Sequence, residues 1–153
     1  MSSVTVLHAV AIFSVFAVGI SAGQMLAIGI ANYAARGLPE TSWTLRFQSE
    51  NDFFAKTMPP FLIAPATGLA ILYFLTHDDA REMFATAAVL ILIVLAITMA
   101  INVPINRQVQ SWTAGAAPST WMFTRDRWLR FHLARTVVGL MSFAIAAIGL
   151  TSL

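Results

Sequence analysis

Two asparagines stand four residues apart around a proline in "INVPINRQVQ", residues 101–110, where a long apolar run ends. At that spacing Asn102 and Asn106 share one face of a helix. Pro104 between them removes a backbone donor and frees carbonyls, which suits a polar cavity. Further on, "TRDRWLRFHLART" sets Arg125, Trp128, His132 and Arg135 at offsets 0, 3, 7 and 10, one stripe along a helix. An arginine and a histidine one to two turns inside an apolar segment are costly in lipid and turn to the interior, so they mark a functional site by default. Gln48 and Asn51 share a face of a third segment, "FQSENDFFAKTMP", and Gln24 interrupts the first apolar run.

Each residue alone has a plainer use. The asparagines can cap a helix and bridge to a neighbour, at roughly 1 kcal/mol each. Trp128 fits an interfacial aromatic belt, and Arg127 and Arg130 fit headgroup anchors. Arg135 could snorkel to phosphate, but it lies ~10 Å beyond Trp128 along a helix. His132 can be a satisfied structural histidine and Gln24 interhelical glue. His8 lies far from the others, and His77 sits with Asp78, Asp79 and Glu82 in a solvated turn. The convergence of the asparagines, His132, Trp128 and Arg135 at one end is what carries a site. The absences narrow its chemistry. The sequence has no HExxH and no pair of histidines with a carboxylate at ligand spacing, so no metal site is expected. It has no phosphate-binding glycine loop, no serine with a partnered histidine and carboxylate, and no cysteine for thiolate or disulfide chemistry.

The elements that must position these residues follow from composition. The 153 residues are 58% hydrophobic and 10% charged, with mean hydropathy +0.76. A soluble domain is closer to a quarter charged, so the chain reads as one integral membrane domain over residues 1–153. Its pI near 9.7 comes with no Lys/Arg tract of the kind that neutralises phosphates, so no nucleic acid is expected. Four segments approach the ~20 apolar residues a spanning helix needs: about 4–31, 60–76, 84–103 and 128–153. The first lacks a positive leading segment and is long for a signal core, so it reads as a retained span. The fold class is therefore all-α, a four-helix membrane bundle. Apolar residues among charges in 42–59 predict a short interfacial helix in the first link, ending before Pro59–Pro60. Eight basic residues (Arg36, Arg46, Lys56, Arg107, Arg125, Arg127, Arg130, Arg135) fall on the links after spans one and three and their helix ends, against Arg81 on the other side. The positive-inside rule then places both long links in the cytoplasm and both termini outside, in a cell inner membrane.

"NVPIN" closing a third span, then "R-x-x-W" opening a fourth with His132 and Arg135 inside it, resembles the anthrone oxygenase-like family of small four-span membrane proteins. The matching residues are Asn102, Pro104, Asn106, Arg125, Trp128, His132 and Arg135, and the segment with Gln48, Asn51 and Pro59 is similar to the family's first link. Many members of that family have no known reaction. The resemblance implies oxidation of an anthrone- or quinone-like aromatic with dioxygen, without a resident cofactor. A flat, apolar carbon acid would partition into the bilayer, and its enolate can give an electron to dioxygen. In that implied reaction His132, with an unperturbed pKa of about 6.5, would be the base. Arg135, Asn102 and Asn106 would hold the oxyanion, while Trp128 would stack on the rings. Gln48, Asn51 and Arg125 would complete substrate binding. Position 132 is often asparagine in the family, so His132 is a departure. Two other readings stay open: a non-catalytic protein that binds a lipid, a quinone or a partner subunit, and a haem protein with His132 as axial ligand, its second ligand absent or supplied by another copy in a homo-oligomer.

Overall fold

A computed structural model describes residues 3–153, of Ser3 the backbone alone; residues 1–2 of the expected 1–153 domain lie outside the described residues. Five helices carry the chain: α1 Ser3–Ala34, α2 Glu40–Leu75, α3 Asp78–Ile97, α4 Val103–Gln110 and α5 Trp121–Thr151. A π-helical turn, Thr98–Asn102, joins α3 to α4, so that Asp78–Gln110 forms one continuous rod. Four rods result, each long and apolar enough to cross a membrane, and no strand occurs among the described residues. The protein is an all-α four-helix bundle of membrane-spanning type.

Each expected span lies within a rod that runs further, apart from Thr76 at the end of the second and the last two residues of the fourth, and the links shrink accordingly. The first link is only the turn Ala35–Pro39, the second is Thr76–His77, and the third is Ser111–Thr120. The stretch expected as a separate interfacial helix is helical, but it is continuous with the second span through Pro59, Pro60 and Pro65. A proline breaks a helix in water because it removes a donor and orphans the carbonyl four residues earlier. Inside a membrane bundle a neighbouring side chain can take over that carbonyl. Pro65 leaves the Phe61 carbonyl without its amide partner, and the Ser21 hydroxyl of α1 donates to that carbonyl. At 36 residues and 1.5 Å per residue, α2 is ~54 Å long. That exceeds the ~30 Å hydrocarbon core, so its charged N-terminal half projects beyond it.

The interior is layered. At the end holding the start of α1 and the end of α5, Val15, Val18, Leu69, Leu72, Phe84 and Ile91 form an aliphatic core around Phe84. At the arginine-rich end Trp43, Phe47, Ile105, Val109, Trp128 and Leu129 form an aromatic core. Between them lie Met25, Leu62 and Val94. Phe13, Phe16, Phe74, Leu92 and Met99 are exposed on the outside, as side chains facing lipid would be. Close approach of α1 to α5 depends on small residues. A Cβ on Gly29 would meet the His132 ring at 3.3 Å, and one on Gly139 would meet Met25 Cε at 2.6 Å.

Candidate functional site

The polar residues of α5 meet those of the π turn between the aromatic core and the middle layer. His132 is wholly buried, and Asn102 is 1% exposed. His132 Nε2 lies 2.8 Å from the Met25 carbonyl of α1. A carbonyl only accepts, so Nε2 carries the proton and Nδ1 presents its lone pair. That lone pair accepts from Arg135 Nη2 at 2.8 Å. Arg135 Nη1 donates to Thr98 Oγ1 at 2.7 Å, and Thr98 Oγ1 donates in turn to the Val94 carbonyl at 2.7 Å. The result is a buried chain of donors, Thr98–Arg135–His132–Met25, crossing from the third rod to α1.

Trp128 stacks on the His132 ring at 4.7 Å between centroids, 19° from parallel. It also meets Phe47 edge to face, at 5.2 Å and 84°. Trp128 Nε1 donates to Asn106 Oδ1 at 2.7 Å, and Asn102 Nδ2 donates to the Trp128 carbonyl at 3.3 Å. Both asparagines therefore fasten the third rod to the start of α5. Two atoms of this cluster, Asn102 Oδ1 and Arg135 Nε, are buried without a hydrogen-bond partner, as is Gln24 Oε1 on α1. Buried polar atoms of this kind are uncommon and costly. One is an acceptor on the third rod and one a donor on α5.

The other expected site residues lie outside this cluster. Gln48 Nε2 donates to the carbonyls of Val109 and Trp112, both at 2.9 Å, and Gln110 Nε2 returns a bond to the Gln48 carbonyl at 3.1 Å. Gln48 thus closes the C-terminal end of α4, where the last carbonyls lack helical partners. Arg125 donates from Nη1 to the Arg36 carbonyl at 2.8 Å and from Nε to Asp126 at 3.0 Å, and its guanidinium lies over Trp121 at 5.0 Å. It binds the ends of α1 and α5 together. Asn51 is half-buried, one turn beyond Phe47 on the inward face of α2. Two partners were not foreseen from sequence. Thr98 lies four residues before Asn102 and was legible as part of the same face. The Met25 carbonyl is backbone, and only the small Gly29 one turn later hints that α5 comes close there.

No group of three His, Cys, Asp or Glu side chains that could hold a metal occurs among the described residues. Two cavities among the described residues are lined by neither His132, Arg135 nor the asparagines. One, of about 960 Å³, is an apolar groove between the N-terminal half of α1 and the second half of α2, in the end remote from the polar cluster. The other, about 410 Å³, lies between the C-terminal end of α1 and the start of α5.

A family model described as Anthrone oxygenase matches residues 51–145, more than half of the chain. The matched stretch contains Asn51, Asn102, Asn106, Arg125, Trp128, His132 and Arg135, and leaves out Gln24, Met25 and Gln48. No curated protein and no solved structure matches the chain.

Proposed function

The chain belongs to the anthrone oxygenase family, and from that premise we propose that it is a membrane-embedded oxidoreductase that uses dioxygen on an apolar aromatic substrate, anthrone- or quinone-like. The observation that supports this reading is the buried His132–Arg135 pair, flanked by the unpartnered Arg135 Nε and Asn102 Oδ1. For an anthrone methylene the overall change is balanced by dioxygen alone: the CH₂ becomes C=O, one oxygen atom enters the product and the other leaves as water. The first step is removal of a proton from that carbon, which leaves an enolate able to give an electron to dioxygen.

His132 Nδ1 is the base in this mechanism, and Arg135 controls it. With no substrate the Nδ1 lone pair is held by Arg135 Nη2. As the substrate carbonyl gathers negative charge, it competes for the guanidinium, because a charged acceptor binds it more strongly than a neutral imidazole. Arg135 then stabilises the oxyanion and releases the lone pair to take the proton. Asn102 Oδ1 accepts from a hydroxyl or water on the same ligand. Trp128 is already stacked on His132, so here it orients the base rather than the substrate. Asn106 orients Trp128 through Nε1, and Gln48 and Arg125 hold the surrounding helix ends. The mechanism asks for no resident cofactor: His132 Nε2–H stays on the Met25 carbonyl while Nδ1 is exchanged between Arg135 and the substrate proton. By its basic residues, the Arg36–Arg130 end faces the cytoplasm of a cell inner membrane.

The test is oxygen uptake by the purified protein in lipid nanodiscs supplied with a soluble anthrone. Wild type is expected to consume oxygen and give the quinone above the spontaneous rate. Arg135→Lys, which keeps charge but loses the planar fork, should lose about 10²-fold or more, as when a single oxyanion donor is removed. His132→Ala turning over as fast as wild type would refute the base assignment. A wild type no faster than buffer with several anthrones would shift the reading to a binding or partner subunit.

A further inference from the structure

The smaller cavity has a composition that names a ligand. It lies where the end of α1 meets the start of α5, at the level of the tryptophans of the aromatic core. Its charged groups are Arg36, Arg130 and Asp126. Asp126 is already shared: it accepts from Arg36 at 3.3 Å and from Arg125 at 3.0 Å. Arg130 is exposed, and no acidic side chain pairs with it among the described residues. The cleft therefore carries an unbalanced positive charge at its mouth. Its floor is the buried Leu129, and Phe123 and Leu133 form its walls. Leu133 lies one turn below Leu129, ~6 Å further toward the middle of the helix. A molecule filling about 410 Å³ here must be anionic at one end and apolar at the other.

We propose that this cleft binds an anionic phospholipid, with the headgroup phosphate on Arg130 and Arg36 and the start of an acyl chain against Leu129 and Leu133. Arginine meets a phosphate with two parallel N–H groups, and a basic pocket between spanning helices at the interface is where such headgroups sit. Tyr33 closes the mouth beside Arg36, whose guanidinium lies 5.7 Å from the ring centroid. The site also bears on the polar cluster. Leu133 packs against Gly29 beside His132, so a seated lipid covers the α1–α5 seam through which His132 reaches Met25. The assignment stands on the cleft alone and does not depend on the oxygenase reading.

Arg127 supplies the control, because it is also exposed on the same turn of α5 yet does not line the cleft. The detergent-solubilised protein is titrated with phosphatidylglycerol, and retained lipid is read by native mass spectrometry. Parallel titrations use phosphatidylcholine with the same acyl chains and inorganic phosphate as competitor. Wild type should retain phosphatidylglycerol over phosphatidylcholine. Arg130→Gln should weaken that retention about fivefold, as expected for one basic side chain at an anionic surface, while Arg127→Gln leaves it unchanged. Leu133→Trp, which fills the apolar wall and keeps every charge, should weaken it too. Equal loss in Arg127→Gln and Arg130→Gln would show diffuse attraction to a basic end and overturn the site. Equal retention of the two lipids would overturn it as well. Full displacement by inorganic phosphate would assign the cleft to a free anion instead.

Discussion

At the scale of single residues, the polar cluster is held by contacts that can be removed one at a time. Trp128 both stacks on His132 and donates Nε1–H to Asn106. Trp128→Phe keeps an aromatic face and deletes the donor, leaving the Asn106 carbonyl oxygen half-buried without its partner. The expected outcome is a loss of about 1 kcal/mol, the net worth of one such bond, seen as a lower unfolding midpoint in detergent. Trp128→Phe/Asn106→Leu should recover most of that loss, since a missing pair costs less than an unsatisfied partner. If the double variant were as destabilised as the sum of both single ones, the bond would not be what couples them. The same logic explains why His132 was hard to assign from sequence. Its neighbours at three and four residues, Trp128 and Arg135, were legible from helical spacing. The Met25 carbonyl that fixes its tautomer has no side-chain signature, so the hold of Arg135 on Nδ1 could not be foreseen.

At the scale of helices, α2 shows why the boundaries moved. Three prolines in a row of seven residues read as a terminator under the rules of helices in water, yet the helix continues. The physical reason is supplied from outside the element, by the Ser21 hydroxyl on the Phe61 carbonyl that Pro65 leaves unbonded. This gives a prediction for the pair. Ser21→Ala should cost about 1 kcal/mol, because it strands a carbonyl in hydrocarbon. Pro65→Ala restores the backbone donor and makes the hydroxyl redundant, so Ser21→Ala should cost close to nothing in that background. The difference between the two costs, measured by unfolding of the four proteins of the cycle, is the coupling energy. A Ser21→Ala cost that is the same in both backgrounds would break this account. The third rod has a parallel device. Its register slips by a π turn, with Val103 N–H reaching back to the Thr98 carbonyl, just before Pro104. Such turns recur at functional sites, and here the slip sets Thr98 and Asn102 toward α5. The sequence announced a proline and two asparagines; the π turn that orients them is a property of the packed rod.

For the whole molecule, the legible part was what composition and charge dictate: four apolar segments, an all-α bundle, and basic residues gathered at one end. Burial could not be read in the same way, since both the inward and the lipid-facing sides of each rod are apolar, and the usual amphipathic stripe is missing. That is why Trp43, Phe47 and Phe84 in the two cores were indistinguishable from exposed Phe13 and Phe74. The bundle does fix one global consequence. Four antiparallel rods put Leu153 at the end opposite Ser119 and Arg125, so the chain's orientation is a single binary quantity. Eight of nine basic residues lie toward the Ser119 end, and retaining them in the cytoplasm predicts that end inside. The chain has no cysteine, so a single introduced thiol reports without background. In intact cells Ser152→Cys should react with a membrane-impermeant maleimide, and Ser119→Cys should react only after the cells are opened. The reverse pattern would invert the topology and place the phosphate-binding cleft on the outer leaflet. Labelling of both sites in intact cells would mean two orientations coexist, and would overturn the single orientation that the eight-to-one charge asymmetry predicts.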